Sequence, residues 1–160
     1  MKGIVSKVAL GVAGTGMAVA VAAVAIGPRV SSWYDERHQE QSAYETGEQA
    51  KNDRRSMPGW LPDNASSVKY VMSTTGDDRL LVATLPEGRL PTGCAIGVPG
   101  RASHPVPASL KAGWFPQDVA AKATGTCGHY SVALHGNRLY AWQDGAAVQA
   151  AHRAEHSARR

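Results

Sequence analysis

The longest hydrophobic feature of the chain is a continuous apolar run near its start. Residues 8–27 carry no charged side chain over 20 positions, and a helix of that length spans about 30 Å, which matches the hydrocarbon core of a bilayer. Lys2 and Lys7 precede the run, and by the positive-inside tendency they keep the N-terminus in the cytoplasm. The pattern predicts a cytoplasmic region over residues 1–7 and a segment over 8–27 that enters the bilayer.

This segment has two interpretations, and the sequence leaves both open. Its full length favours an uncleaved single-pass anchor. Its richness in Ala, Val and Gly, with Ala23 and Ala25 in the form of a signal-peptidase site, favours a cleaved signal peptide and a secreted product. Small residues four apart, such as Gly14 and Ala18, would also permit weak self-association of two spans. Under either interpretation, residues 28–160 lie outside the cytoplasm.

Residues 28–56 are polar and lack a sustained apolar stripe. A serine at position 31 or 32 could cap a helix that continues to Asn52, with acidic side chains in its first turn, where they suit the helix dipole. The two prolines of Met57–Pro62 would end such a helix. We expect an exposed juxtamembrane helix or stalk over this segment.

Beyond residue 56 the hydrophobic pattern changes to the short alternating runs that are typical of strands. The strand candidates are residues 68–72, 79–83, 94–98, 129–135 and 138–143. The last two are separated by Gly136-Asn137, a favourable pair for a two-residue hairpin turn. Together these features predict an α+β fold in which a small antiparallel sheet of four or five strands occupies residues 57–145.

Two further segments complete this domain organisation. The proline-rich residues 99–116 predict an irregular crossing between strands. Residues 146–160 form an Ala-rich tail, which is either a short helix that begins at Asp144 or a disordered end.

The chain has two cysteines, Cys94 and Cys127. In an exported protein oxidation is the default, so we expect one disulfide between them, with Cα atoms about 4.4–6.8 Å apart. A loop of about 34 residues closed in this way stabilises a fold by about 3–4 kcal/mol through chain entropy. A domain of about 90 residues is marginal without such help.

The charge distribution argues against a polyanionic partner. The formal net charge is +4, but residues 56–145 carry seven basic and six acidic side chains, so the basic excess lies at the two ends. A nearly neutral folded region offers no electrostatic footprint for nucleic acid.

No catalytic, cofactor or metal motif withstands a physical check. His152, Glu155 and His156 match the H-x-x-E-H pattern of inverted zinc peptidases, but their flanks are polar and Ala-rich, with no dry pocket around them. His129 and His135 are six residues apart on a predicted strand, which separates them by about 20 Å, too far to share one metal. We therefore assign no catalytic, cofactor-binding or metal-ligating residue.

The large aromatic side chains of the predicted domain have a structural and a functional interpretation. They are Trp60, Trp114, Phe115 and Trp142. They could line a groove for a glycan or a peptide, but a small domain with few Leu and Ile residues needs such rings for its core. The core interpretation is favoured.

Trp114-Phe115-Pro116, Cys127 and the run Gly136–Trp142 resemble small single-span or secreted proteins of high-GC Gram-positive bacteria. The resemblance covers about 40 residues and implies localisation only, because that group has no activity to carry over. The leading hypothesis is a non-catalytic, membrane-tethered extracytoplasmic domain that binds or scaffolds an envelope partner. The alternative is a secreted hydrolase or accessory enzyme with an unrecognised site. A cleft with convergent polar groups would favour the enzyme, and a core filled by the aromatics would favour the binding domain.

Overall fold

The computed structural model describes residues 38–97 and 106–160. Within these residues, seven antiparallel strands form one sheet in the spatial order β1-β2-β3-β7-β6-β5-β4, with two helices and a 3₁₀ turn beside it. The strands are β1 (Gln39–Thr46), β2 (Ser66–Ser73), β3 (Arg79–Thr84), β4 (Cys94–Ile96), β5 (Gly125–Cys127), β6 (Tyr130–His135) and β7 (Arg138–Gln143). The helices are α1 (Gly47–Asp53) and α2 (Gly145–Ala158), and the 3₁₀ turn is Val119–Lys122.

The strands predicted from alternation are confirmed. β2 and β3 form one hairpin, and β6 and β7 form another around Gly136, whose φ of 60° suits a residue without a side chain. The two hairpins join through β3 and β7, where Leu81 lies opposite Ala141. The predicted small antiparallel sheet is therefore present, although it has seven strands rather than four or five.

The helical stalk predicted over residues 28–56 is wrong in the part of that segment the structure describes. Gln39–Thr46 is an edge strand that pairs with β2, with Ala43 opposite Lys69. Pairing with a neighbouring strand outweighs a weak helical preference, and here it half-buries Tyr44 against the core. The helix begins only at Gly47, where the Thr46 hydroxyl accepts a hydrogen bond from the Gln49 N–H at 3.2 Å.

Gly47 is the residue that permits the change from β1 to α1. A Cβ at this position would lie 2.0 Å from the carbonyl oxygen of Pro62, and the Gly47 N–H donates to the carbonyl of Ala65 at 2.9 Å. The loop that follows α1 therefore packs directly against the start of the helix. In the sequence, Gly47 is a residue that weakens a helix. In the structure, it is the point at which the backbone of α1 closely approaches the backbone of the following loop.

Both faces of the sheet are packed, because side chains on successive strand residues point to opposite sides. Face 1 carries Tyr70, Leu81, Val132 and Ala141 and is covered by residues of the loop 57–65, together with Leu85. Face 2 carries Val71, Leu80, Ala133 and Trp142 and is covered by Phe115 and Val119. The continuous apolar run in β3 follows from this arrangement, since strands buried on both faces lose the polar alternation.

The predicted disulfide is present. Cys94 and Cys127 lie directly opposite each other on β4 and β5, with an S–S distance of 2.03 Å and a Cα–Cα distance of 4.2 Å, just below the expected range. The Gly97 N–H donates to the Thr124 carbonyl at 2.8 Å, and hydrogen-bonded pairs alternate along an antiparallel ladder. Gly97 and Thr124 therefore form a hydrogen-bonded pair. The cysteine pair lies three positions further along the ladder, so it is a non-hydrogen-bonded pair, in which the Cα atoms approach most closely.

The end of the chain is the helix α2. The Asp144 side chain caps it by accepting from the Ala147 N–H at 2.7 Å, and Val148 is its last buried side chain. The Asp78 carboxylate accepts from the Gly145 N–H at 2.9 Å, which fixes the first turn to the β2–β3 connection. Of the two expectations for residues 146–160, the helix is confirmed.

Several predictions concern residues outside the described ones. These are the cytoplasmic region 1–7, the bilayer segment 8–27, the first part of the stalk, residues 28–37, and residues 99–105 of the proline-rich crossing. Among residues 38–97 and 106–160, no helix combines the length and the apolar character that crossing a membrane requires.

Candidate functional site

A groove lies between two loops of the molecule. The first wall consists of residues 59–64, between α1 and β2, together with Lys51 of α1. The second wall consists of residues 85–87 and 89–92, between β3 and β4. The groove has a volume of about 680 Å³, within the roughly 300–1,000 Å³ that is typical of sites for small ligands.

The first wall is a turn that prolines stiffen. The Leu61 N–H donates to the Pro58 carbonyl and the Ala65 N–H donates to the Pro62 carbonyl, both at 3.1 Å. Leu61 is 1% exposed and anchors the loop in the core of face 1. Because proline fixes φ, the backbone that carries Trp60 has few alternative conformations.

Trp60 is half-buried, and its ring contacts Tyr130 in an edge-on arrangement, with centroids 5.5 Å apart and an interplanar angle of 77°. Burial raises the pKa of the Tyr130 phenol well above its ordinary value, and the neighbouring Tyr70 adds to this shift. Tyr130 therefore stays neutral over the physiological pH range and supports the indole from behind. Among the described residues, neither the Trp60 indole N–H nor the Asn64 amide forms a hydrogen bond, so both remain open to a ligand.

The second wall is fastened at both ends. At one end, Leu85 is buried and its N–H donates to the Asn137 carbonyl of the β6–β7 turn at 2.7 Å. Gly88, with a φ of 59°, turns the chain, and its N–H donates to the Leu85 carbonyl at 3.1 Å. At the other end, the loop leads directly into Cys94 and the disulfide. The second wall is therefore fixed to the sheet at both of its ends, by the Leu85 hydrogen bond and by the disulfide.

The charged side chains of the groove form two ion pairs. Lys51 Nζ lies 2.5 Å from Asp63 Oδ1. Arg89 Nε donates to Glu87 Oε2 at 2.6 Å, and Arg89 Nη2 lies 2.5 Å from the same oxygen. The four charges sum to zero, and each carboxylate is already bound by a cation. Among the described residues, the lining includes no His, Ser, Cys or Tyr side chain, so it offers neither an imidazole base nor a serine or cysteine nucleophile.

Three of the four predicted aromatic residues lie together, and Trp60 lies apart from them. Trp142 and Phe115 are buried, with exposures of 1% and 4%, and their ring centroids are 6.3 Å apart on face 2. The Trp142 indole N–H donates to the Val106 carbonyl at 2.7 Å, and Trp114 packs edge-on against Phe115. These three rings belong to the packing of face 2, whereas Trp60 packs on face 1 and lines the groove.

The histidines lie elsewhere. His152 and His156 are on the exposed part of α2, and the His152 ring is 5.6 Å, centroid to centroid, from His129 in the turn between β5 and β6. His135 packs edge-on against Tyr140. In the ranges 38–97 and 106–160, no group of three or more His, Cys, Asp or Glu side chains is arranged to hold a metal ion.

The remaining groups with shifted pKa values lie outside the groove. The hydrogen bond and charge of Arg54 lower the pKa of Glu40, and the same contact raises the pKa of the Arg54 guanidinium. Arg54 Nε also donates to the Tyr44 hydroxyl at 3.1 Å. Lys122 likewise lowers the pKa of Asp118. The Arg54–Glu40 pair connects β1 to the loop after α1. The Lys122–Asp118 pair connects the two ends of the 3₁₀ turn.

Sequence reasoning identified Trp60 but missed the polar lining of the groove. A signal for it does exist in the sequence. Both walls are short segments bracketed by prolines, Pro58–Pro62 and Pro86–Pro91, and in both a leucine precedes the second proline. Each leucine packs against the core of face 1 and presents its polar neighbours outward.

No protein-family model, curated protein or solved structure matches this chain. Its function must therefore be inferred from the fold and from the residues of the groove.

Proposed function

We propose that the protein is a non-catalytic binding domain, held on the outer side of the cytoplasmic membrane by residues 8–27, that binds an envelope component in the groove around Trp60. A mature form secreted after signal cleavage would carry the same groove. The charge-free run that follows Lys2 and Lys7 supports export. The Cys94–Cys127 disulfide supports it independently, because structural disulfides persist in oxidising compartments.

The observation that carries the binding assignment is the contrast between Trp60 and the other large rings. Trp142 and Phe115 are buried in the core. Trp60 instead lines a groove, and its indole N–H has no hydrogen-bond partner among the described residues. A half-buried tryptophan on a rigid turn supplies contact area at a low cost in conformational entropy. Such a residue suits recognition more than fold stability.

The test of binding uses the full-length protein in detergent, incubated with a washed envelope fraction and then sedimented. We expect Trp60→Ala to reduce co-sedimentation severalfold, because it removes the aromatic surface of the groove. Trp114→Ala is the matched control, since Trp114 is also half-buried but lies on face 2. Equal retention of wild type and Trp60→Ala would contradict the assignment of the groove.

The test of export is a reporter that is active only in the cytoplasm, fused after Arg160. We expect it to be silent, and the intact mass of the mature protein distinguishes an anchor from a signal cleaved after Ala25. An active reporter would contradict the proposed topology.

One observation favours the alternative, a secreted hydrolase or accessory enzyme. Asp63 and Glu87 line the same groove, and paired carboxylates are the groups that hydrolyse glycosidic bonds. We rank it second because Lys51 and Arg89 already bind these carboxylates. Turnover of a bound ligand that is lost in Asp63→Asn but retained in Trp60→Phe would establish the enzyme instead.

A further inference from the structure

We propose that the ligand of the groove is a neutral, polyhydroxylated chain, that is, a short segment of an uncharged glycan stacked on Trp60. This inference rests on the proposed binding function and names the chemical class of the ligand. It is drawn from the charge balance of the groove, the geometry of its walls and the polar groups left without partners.

The charge balance of the groove disfavours strongly charged ligands. Lys51 and Arg89 are each matched by a carboxylate within 2.5 Å. A phosphate, a nucleotide or an acidic peptide needs an uncompensated cation cluster, and a cationic ligand needs uncompensated carboxylates. Here a charged ligand would have to break an existing pair, whereas a neutral polar ligand would not.

The ion pairs are well suited to hydroxyl groups. Each pair presents a strong donor beside a strong acceptor, and a hydroxyl can both donate and accept. Two neighbouring hydroxyls of one sugar ring can therefore contact a carboxylate and its cation at the same time. The Asn64 amide, which also donates and accepts, has no partner in the described part of the chain.

The walls do not match the common modes of peptide recognition. Strand addition requires a free sheet edge, but the walls of this groove are loop segments, and the edge strands β1 and β4 contribute nothing to the lining. A bound helix requires an apolar groove, and a proline-rich peptide requires a groove lined by several aromatic rings. Among the described residues that line the groove, Trp60 is the single aromatic one. One stacking surface flanked by polar groups fits a sugar ring better than any of these peptides.

The groove is also pre-organised, so little ordering opposes binding. Prolines bracket both walls, Tyr130 supports the Trp60 ring, and the disulfide holds the end of the second wall. Rigid sites bind more tightly because fewer groups lose freedom on association.

The test is calorimetric titration of the full-length protein in detergent with a panel of four neutral tetrasaccharides: tetraacetylchitotetraose, cellotetraose, maltotetraose and mannotetraose. Octaproline and tetragalacturonate serve as the peptide and acidic-glycan probes. We expect at least one neutral tetrasaccharide to bind and both comparison probes to bind at least about tenfold more weakly, a difference equivalent to about 1.4 kcal/mol.

Variants locate the site. Trp60→Ala should weaken binding of the neutral glycan by about tenfold, and Trp60→Phe, which keeps a ring in the same turn, by less. Arg89→Met should weaken it severalfold, because a donor for the sugar hydroxyls is lost. The matched controls are Trp114→Ala and Lys122→Met, the second of which removes a solvent-exposed ion pair outside the groove. Both controls should bind as the wild type does, and thermal unfolding shows that each variant is folded.

Three outcomes would overturn the glycan proposal: no member of the neutral panel binds, octaproline or tetragalacturonate binds more tightly than every neutral glycan, or glycan binding is unchanged in Trp60→Ala. If co-sedimentation with envelopes still depends on Trp60, the groove remains the binding site and only the ligand class fails. If co-sedimentation is also independent of Trp60, the proposed function fails as well.

Discussion

The two faces of the sheet are covered by irregular, proline-containing segments, yet the two covers use their aromatic residues differently. On face 2, Phe115 lies against both Trp142 and Tyr140 at ring distances of 6.3 and 5.9 Å, so the rings fill the space above the strands. On face 1, Leu61 and Leu85 fill the space, and Trp60 lines the groove between the two loops. Aliphatic anchors on face 1 leave an aromatic residue to line the groove, whereas the aromatic anchors on face 2 are buried in the packing.

The comparison predicts its largest effect for the tryptophan of face 2. Trp142→Ala should lower the free energy of unfolding by about 3–5 kcal/mol, because it opens a cavity among buried rings. Trp60→Ala should cost less than about 2 kcal/mol, since part of this ring is already in water. Urea unfolding of both variants measures the difference. Equal costs would mean that Trp60 is a core residue and not a binding residue.

The disulfide should have the next largest effect. Cys127→Ala together with Cys94→Ala should lower stability by about 3–4 kcal/mol, because the unfolded chain regains the freedom of the closed loop. Thermal unfolding in oxidising buffer tests this, and the wild type with added dithiothreitol is the control that should match the variant. Amide exchange should also increase more at position 94, whose N–H donates to the Pro91 carbonyl at 3.2 Å in the wild type, than in β2 and β3. Uniform exchange would show that the second wall does not depend on the bond.

Asp78 is expected to have an intermediate effect, because one carboxylate holds two segments together. Asp78 Oδ1 accepts from the Gly145 N–H at 2.9 Å and from the Ser109 hydroxyl of the face 2 cover. Asp78→Ala should cost about 1–3 kcal/mol, as expected when the buried Gly145 N–H loses its acceptor. Ser109→Ala, which removes one of the two contacts, should cost less. If the two variants cost the same in urea unfolding, the bond to α2 contributes nothing.

The smallest effect should be a pH dependence at the surface. The pKa of Glu40 is lowered in the folded protein by the hydrogen bond and charge of Arg54, and that of Asp118 is lowered by Lys122. A carboxylate with a lowered folded-state pKa stabilises the fold above its ordinary pKa, and this stabilisation is lost as the pH falls through the folded-state pKa. Stability should therefore decline in acid, and Glu40→Gln should make the decline shallower. A steeper decline in Glu40→Gln would contradict the role of this pair.

Local patterns in the sequence were sufficient to predict the central strands. β2, β3, β6 and β7 carry apolar runs with turn residues between them, and each of these features is contained within a few neighbouring positions. The disulfide followed from the cysteine count and the inferred compartment. These elements depend on short-range information, which sequence reasoning uses well.

The elements that were missed depend on partners distant in the chain. β1 has a polar sequence that becomes a strand only because β2 lies beside it, and three-residue β5 is defined by pairing with β4 and β6. The groove depends on two loops about 25 residues apart in sequence that meet at one face. No local pattern specifies that Asp63 and Arg89 line the same space, so this part of the site required the structure.

The position of the disulfide also determines what happens to the protein when its backbone is cut. Cys94 and Cys127 enclose the crossing and the 3₁₀ turn in one covalent ring. A protease that cleaves a peptide bond between these two residues leaves both fragments joined through sulfur, with β4 still paired to β5. Such a nicked chain would migrate as two pieces only under reducing electrophoresis and would keep both walls of the groove. Under the proposed export, a cut by an extracytoplasmic protease between Cys94 and Cys127 would therefore leave the two walls of the groove on covalently joined fragments.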